Sequence, residues 1–167
     1  MSGTGAALCP GRSCRCRKAG SSANGGGSLR EECGVFGIWG HPHAVELAHV
    51  ALFALQHRGQ ESAGLASVRD GSLRLHKGMG LISEVFTEGV LRDMLGEAAI
   101  GHVRYSTFGA SDPVNAQPLV VRYQRGMLGL AHNGNLVNAP QLRNELESQG
   151  SIFQTTLDTE VIAHLIA

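Results

Sequence analysis

Hydrophobic and polar positions follow no period over residues 1 to 31, and from Cys33 onward they alternate between strand-like and helix-like spacing. The first stretch is rich in Gly, Ser, Ala and Arg and holds no acidic residue before Glu31. It cannot bury enough apolar surface to order itself, so a disordered leader is expected there. Val35 to Trp39 then reads as a short buried strand between glycines. After the turn His41-Pro42-His43, the segment Ala44 to His57 repeats Leu47, Val50, Ala51, Ala54 and Leu55 at helical spacing, with Gly59 as its stop. That stripe predicts an amphipathic helix packed on a sheet.

The pattern continues with the strand Leu65 to Val68 and its hairpin partner Leu73 to His76 around Asp70-Gly71. Ser83 caps a predicted helical piece that runs through Phe86 to Leu95, with Val85, Phe86, Val90, Leu91 and Leu95 facing inward. Ile100 to Tyr105 is the next strand, Ser111 to Gln117 a turn-rich loop, and Leu119 to Tyr123 pairs with Met127 to His132 in a second hairpin. Asn138 caps a helix stopped by Gly150, and Ile152 to Gln154 reads as a brief strand. A last helix takes Asp158 as N-cap, and its stripe Val161, Ile162, Leu165 and Ile166 reaches Ala167 without a stop signal, which reads as truncation.

Composition narrows the class. The chain has 167 residues, 43% of them apolar, which is enough for one ordinary soluble domain with a core. Net charge is zero and no long basic run lies inside the patterned part, so neither nucleic acid nor an anionic membrane surface is an expected partner. No apolar run approaches the roughly 20 residues of a spanning helix.

The four cysteines, Cys9, Cys14, Cys16 and Cys33, crowd into the first fifth of the chain, so the domain holds no second cysteine that could form a disulfide with Cys33. Cys14-Arg15-Cys16 is too tight for a zinc pair, so no metal is expected within this chain. A core free of disulfides fits a reducing, cytoplasmic setting. The leader lacks the apolar region of a secretory signal; being basic and acid-poor it also fits an organellar transit peptide, though a removable propeptide over 1–32 is preferred.

Candidate chemistry begins at that boundary. If the bond after Glu32 is cut, Cys33 carries a thiol and a free α-amine on one carbon. The amine's reference pKa of about 7.7 to 8.0 lets it take a proton near neutrality, so one residue supplies nucleophile and base. Arg104, at the end of a buried strand beside a hydroxyl and a glycine turn, offers a fork for a carboxylate, or a partner for a structural acid. Asn133 and the following Gly134 N–H can aim two donors at an oxyanion, or can simply form a turn. Asp158 can hold a helix end or bind an ammonium. The polar run Gln56 to Gly64 reads in isolation as a solvated connection, and His49 and His57 as helix-surface residues.

Four ordered motifs carry a resemblance over residues 33 to 167. Cys33-Gly34-Val35-Phe36-Gly37-Ile38, the run Leu55 to Gly64, Gly101-His102-Val103-Arg104-Tyr105-Ser106-Thr107 and His132-Asn133-Gly134-Asn135-Leu136 together resemble the glutaminase domain of the amidophosphoribosyltransferase family. The resemblance implies an α+β fold, the αββα four-layer sandwich of N-terminal-nucleophile hydrolases, with its later strands missing. It implies Cys33 as nucleophile toward the glutamine amide, Asn133 and Gly134 as oxyanion hole, Arg104 with Thr107 as the α-carboxylate site and Asp158 as the α-ammonium site. Arg58 and Gly59 match a loop expected to close over glutamine, and His102 a position close to the pocket.

Family members continue into a phosphoribosyltransferase domain that uses phosphoribosyl pyrophosphate with magnesium, some carry an iron–sulfur cluster, and a homo-oligomer is expected. Residues 33–167 would then be a partial class II glutamine amidotransferase domain, serving the first committed step of purine synthesis. Two alternatives stand beside it: another class II amidotransferase, such as a glucosamine-6-phosphate or asparagine synthase, and a catalytically silent truncated module that assembles with full-length subunits.

Overall fold

The computed structural model describes residues 33–58, 61–105 and 112–167. The leader, Gly59 and the 106–111 segment with Thr107 therefore lie outside the described residues, as does the side chain of Arg58. Strand β1 (Gly34–Trp39) leads into helix α1 (Ala44–Leu55), and a single 3-10 turn over Gln56–Arg58 follows. Strands β2 (Ser62–Arg69) and β3 (Ser72–Met79) form a hairpin whose two turn residues, Asp70 and Gly71, both have positive φ, 51° and 71°. This is the primed turn that an Asp-Gly pair favours.

Helices α2 (Ile82–Val85) and α3 (Glu88–Asp93) precede β4 (Ala98–Arg104). All pairings in this first sheet are antiparallel, in the order β1-β4-β2-β3. Strands β5 (Leu119–Tyr123) and β6 (Gly126–Leu130) make a second, two-stranded sheet, followed by α4 (Ala139–Ser148) and α5 (Asp158–Ile166).

Side-chain alternation along β4 sorts the layers. Ala99 and Val103 join Ala44, Val45, Ala48 and Leu52 of α1 in one apolar core, and Leu52 sits directly over Gly101. Ile100 points the other way, toward Gly129 of β6. Helix α5 in turn contacts β5 and β6, and α4 contacts α5. Helix, sheet, sheet and helix are thus stacked in the αββα order expected from the sequence.

Several local expectations need correction. Of the stripe expected to face inward in α1, Leu47 and Val50 are exposed, at 41% and 63%, as is Ala54, and the buried face is Ala44, Val45, Ala48 and Leu52. Apolar nearly all round, the helix gave no unique stripe, and its small alanines allow the closest approach to the sheet. The single helix drawn from Ser83 to Leu95 is two, broken at Phe86, and Ser83 lies inside the first of them. The second is capped by the Thr87 hydroxyl, which accepts from Val90 N–H at 3.4 Å.

Ser62, Ala63 and Gly64, read as part of a solvated connection, are buried strand. The Asn138 side chain makes no cap bond. Ile152 to Gln154 is not a strand, because the Gln154 and Thr155 N–H groups are taken by the Glu160 carboxylate at 2.8 and 2.7 Å.

Candidate active site

Five distant segments meet at one open cleft of about 820 Å³. The antiparallel ladder sets Gly34 opposite Val103, so Cys33 comes to stand beside the end of β4. Its half-buried thiol donates to the Tyr105 carbonyl at 3.7 Å. From the turn after β6, Asn133 Nδ2 donates to the Cys33 carbonyl at 2.6 Å, tying together residues a hundred positions apart. Gly134 lines the same cleft.

Arg104 also lines it, and its Nη1 donates to the Asn115 carbonyl at 3.3 Å. Among the described residues no carboxylate forms an ion pair with this guanidinium, which speaks against the structural-acid reading. A guanidinium so placed can offer the rest of its fork to an anion in the cleft.

Asp158 is the first residue of α5 and not its N-cap, which is Leu157. A carboxylate in the first turn suits the positive end of a helix. Its Oδ2 accepts from Leu136 N–H at 2.7 Å, and its Oδ1 lies 3.5 Å from His132 Nδ1. The carboxylate thus makes no cap bond on its own helix and instead fixes the turn after β6 while lining the cleft, so the helix-end reading of Asp158 does not hold.

His102 does not line the cleft; it lies behind it on the inter-sheet side of β4, 1% exposed. Burial, with smaller contributions from the charges of Arg104 and His132, pushes its pKa down to about 4, so the ring is neutral at pH 7. The main chain of His132 lies near enough to oppose the shift, yet neither ring nitrogen meets hydrogen-bonding geometry with a described residue.

The cleft also uses residues that sequence reasoning passed over. Gln117 sends Nε2 to the His132 carbonyl at 3.1 Å and accepts from His132 N–H at 2.7 Å, imitating a strand partner for the turn that carries Asn133. Arg143 of α4 donates to the carbonyls of Thr155 and Leu157 at 3.0 and 3.2 Å and stacks on Phe153 at 4.0 Å. The clue for Gln117 was an amide inside a loop, directly before Pro118. For Arg143, one basic residue on a polar helix, no local signal existed.

A thiol at the head of an αββα sandwich, faced by amide donors, an arginine and a carboxylate, is the arrangement of an N-terminal-nucleophile glutamine amidotransferase domain. A family profile described as glutamine amidotransferase domain matches residues 87–167. Amidophosphoribosyltransferase of Bacillus subtilis is 59% identical over 139 residues, which are 83% of this chain and 29% of that protein. Its counterpart from Lacticaseibacillus casei is 55% identical, over 83% of this chain and 72% of the relative. The solved structure of glutamine phosphoribosylpyrophosphate amidotransferase from B. subtilis, complexed with ADP and GMP, superposes with a TM-score of 0.73 at 57% identity, covering 79% of this chain and 28% of that one. The chain belongs to the amidophosphoribosyltransferase family. It spans less than a third of the B. subtilis relative.

Proposed function

We propose that residues 33–167 form the glutaminase part of an amidophosphoribosyltransferase. The part releases ammonia from the side-chain amide of glutamine, for transfer to phosphoribosyl pyrophosphate by the remaining length of such an enzyme. The product, 5-phosphoribosylamine, opens purine synthesis. The observation that carries this reading is the meeting of Cys33, Asn133, Gly134, Arg104 and Asp158 at one cleft. Magnesium, an iron–sulfur cluster where one is present, and the contacts of a homo-oligomer fall to the remaining length in this proposal.

Removal of residues 1–32 frees the Cys33 amine, which accepts the thiol proton. The sulfur then bonds to the amide carbon. Asn133 has two amide N–H bonds; with one on the Cys33 carbonyl, the other joins the Gly134 N–H on the tetrahedral oxyanion. Collapse breaks the C–N bond, and the proton held by the amine leaves with ammonia. Water attacks the thioester, giving its proton to the amine; the S–C bond breaks, the thiol regains its proton and glutamate departs. Arg104, with Thr107, takes the α-carboxylate and Asp158 the α-ammonium, while the loop of Arg58 and Gly59 closes over them. Neutral His102 lies behind the cleft, two residues before Arg104 on the same strand.

The test joins intact mass to glutamate release. Protein beginning at Cys33 is expected to hydrolyse glutamine, and Cys33→Ser to abolish that while sparing an ammonia-driven reaction in a full-length enzyme. Equal loss of both, or full-speed hydrolysis by protein still bearing its leader, would overturn the reading.

A further inference from the structure

Asn115, Ala116 and Gln117 are buried, at 6%, 1% and 6% exposure; the Asn115 and Ala116 N–H groups bond locally to Asp112 and Pro113, and the Asn115 and Gln117 side chains and the Asn115 carbonyl reach residues that line the cleft. The Asn115 carbonyl accepts from Arg104. Its side chain is locked reciprocally to Thr156, donating to Oγ1 at 2.9 Å and accepting from N–H at 3.1 Å. The Ala116 carbonyl accepts from Lys77 Nζ at 2.5 Å, and burial lowers the pKa of that lysine. At the next residue, the Gln117 amide holds the main chain of His132 on both sides.

The segment is pressed onto the first sheet at Gly64. A Cβ there would meet the Gln117 carbonyl oxygen at 2.1 Å, so any side chain at 64 would force the segment away. Three consecutive residues thus connect the arginine, the turn before Asp158 and the turn of Asn133, while the sheet fixes their depth.

We propose that Asn115-Ala116-Gln117 is the gauge that sets the length of the amino-acid side chain the cleft accepts. The inference rests on the glutaminase reading and adds to it a pair of positioning residues. Glutamine and asparagine carry identical α-groups and identical amides and differ by one methylene. Discrimination between them therefore depends on the distance from the α-group anchors to the sulfur. Asn115 holds the anchor end, Gln117 holds the amide end through His132 and Asn133, and a rigid tripeptide between them admits little play. In a fitted site one methylene is worth about 10- to 200-fold in rate.

The experiment uses the leader-free chain and two diazoketone probes, one of glutamine length and one of asparagine length. Each alkylates Cys33, forming an S–C bond and releasing nitrogen as the thiol proton passes to carbon. Iodoacetamide, which needs neither anchor, reports whether the thiol is intact and accessible. The native chain is expected to favour the longer probe. In Gln117→Leu, Gln117→Glu and Asn115→Asp the preference is expected to fall by about tenfold or more, with iodoacetamide reactivity unchanged.

The two near-isosteric variants decide the matter if Gln117→Leu does not fold. An unchanged preference in folded variants would overturn the gauge and leave the glutaminase reading standing. A native chain with no preference for the longer probe would overturn the glutaminase reading and the gauge together.

Discussion

The first sheet with its helices and the region from β5 onward are held together by different forces. All twelve residues of the apolar core cluster fall between Ala44 and Val103. Beyond Pro118 the buried apolar side chains are few, Leu119, Val161 and Ala163, and α4 buries none. Directed polar bonds do the work there: Gln117 on His132, Asp158 on Leu136, Arg143 on Thr155 and Leu157, and Glu160 on Gln154 and Thr155. Apolar contact is non-directional and stabilises without specifying an atom's position closely, whereas a hydrogen bond fails within a few tenths of an ångström. In the proposed reaction, the half that aims donors at the reacting group is the half built from directed bonds.

Two substitutions should separate these roles most sharply. Leu52→Ala, at a fully buried site over Gly101, is expected to cost about 2–5 kcal/mol of stability in chemical denaturation. Glutamine affinity of the folded fraction should scarcely move. Arg104→Ala is expected to do the reverse, weakening glutamine binding by about 2–5 kcal/mol, seen as a raised glutamine KM with little change in the denaturation midpoint. An unchanged KM would remove Arg104 from the α-carboxylate site, and a large loss of stability would return it to a structural role.

The first half was legible in the sequence because its strands are short apolar runs bounded by turn residues, although Val35 and Trp39 of β1, read as buried, are 39% and 81% exposed. Strand positions in β1 and β4 and the Asp70-Gly71 turn came directly from spacing. The side of α1 that faces inward did not, since an apolar circumference carries no direction. In the second half the motif residues Asn133, Gly134 and Asp158 stood out as chemical types. What holds them did not: Gln117, Asn115 and Arg143 act through main-chain groups, whose positions depend on tertiary structure and leave no trace in residue spacing. The expected strand at Ile152 to Gln154 failed for the same reason, because a side chain from the following helix took its N–H groups.

Histidine 102 lies where the two halves meet, and its titration probes that boundary. Its folded pKa, about 4, is below the ordinary 6.5, so the folded state binds fewer protons between those values. Stability is therefore fully present above about pH 6.5 and is lost as the pH falls toward 4. The difference corresponds to about 3 kcal/mol. His102→Gln removes the titrating group, so the native protein should lose stability relative to the variant on acidification over that window. Parallel curves would mean that the histidine is solvated in the folded state.

A smaller effect is expected at Glu160, the polar counterpart of Leu52. It is 3% exposed, and its carboxylate accepts from Gln154 N–H, Thr155 N–H and the Thr155 hydroxyl. Glu160→Gln keeps the shape but turns one acceptor into a donor facing another donor. Bonds to a charged group are worth about 1.5–3 kcal/mol each, yet the variant also escapes the cost of burying a charge, so a net loss of about 1–2 kcal/mol is expected. Because Asp158 lies two residues before Glu160 on the same helix, the glutamine KM should rise along with the loss of stability, which sets this variant apart from Leu52→Ala. A gain in stability would show that desolvation of the carboxylate outweighs its three bonds. An unmoved KM would show that the Thr155–Leu157 turn is held by Arg143 and Asn115 without it.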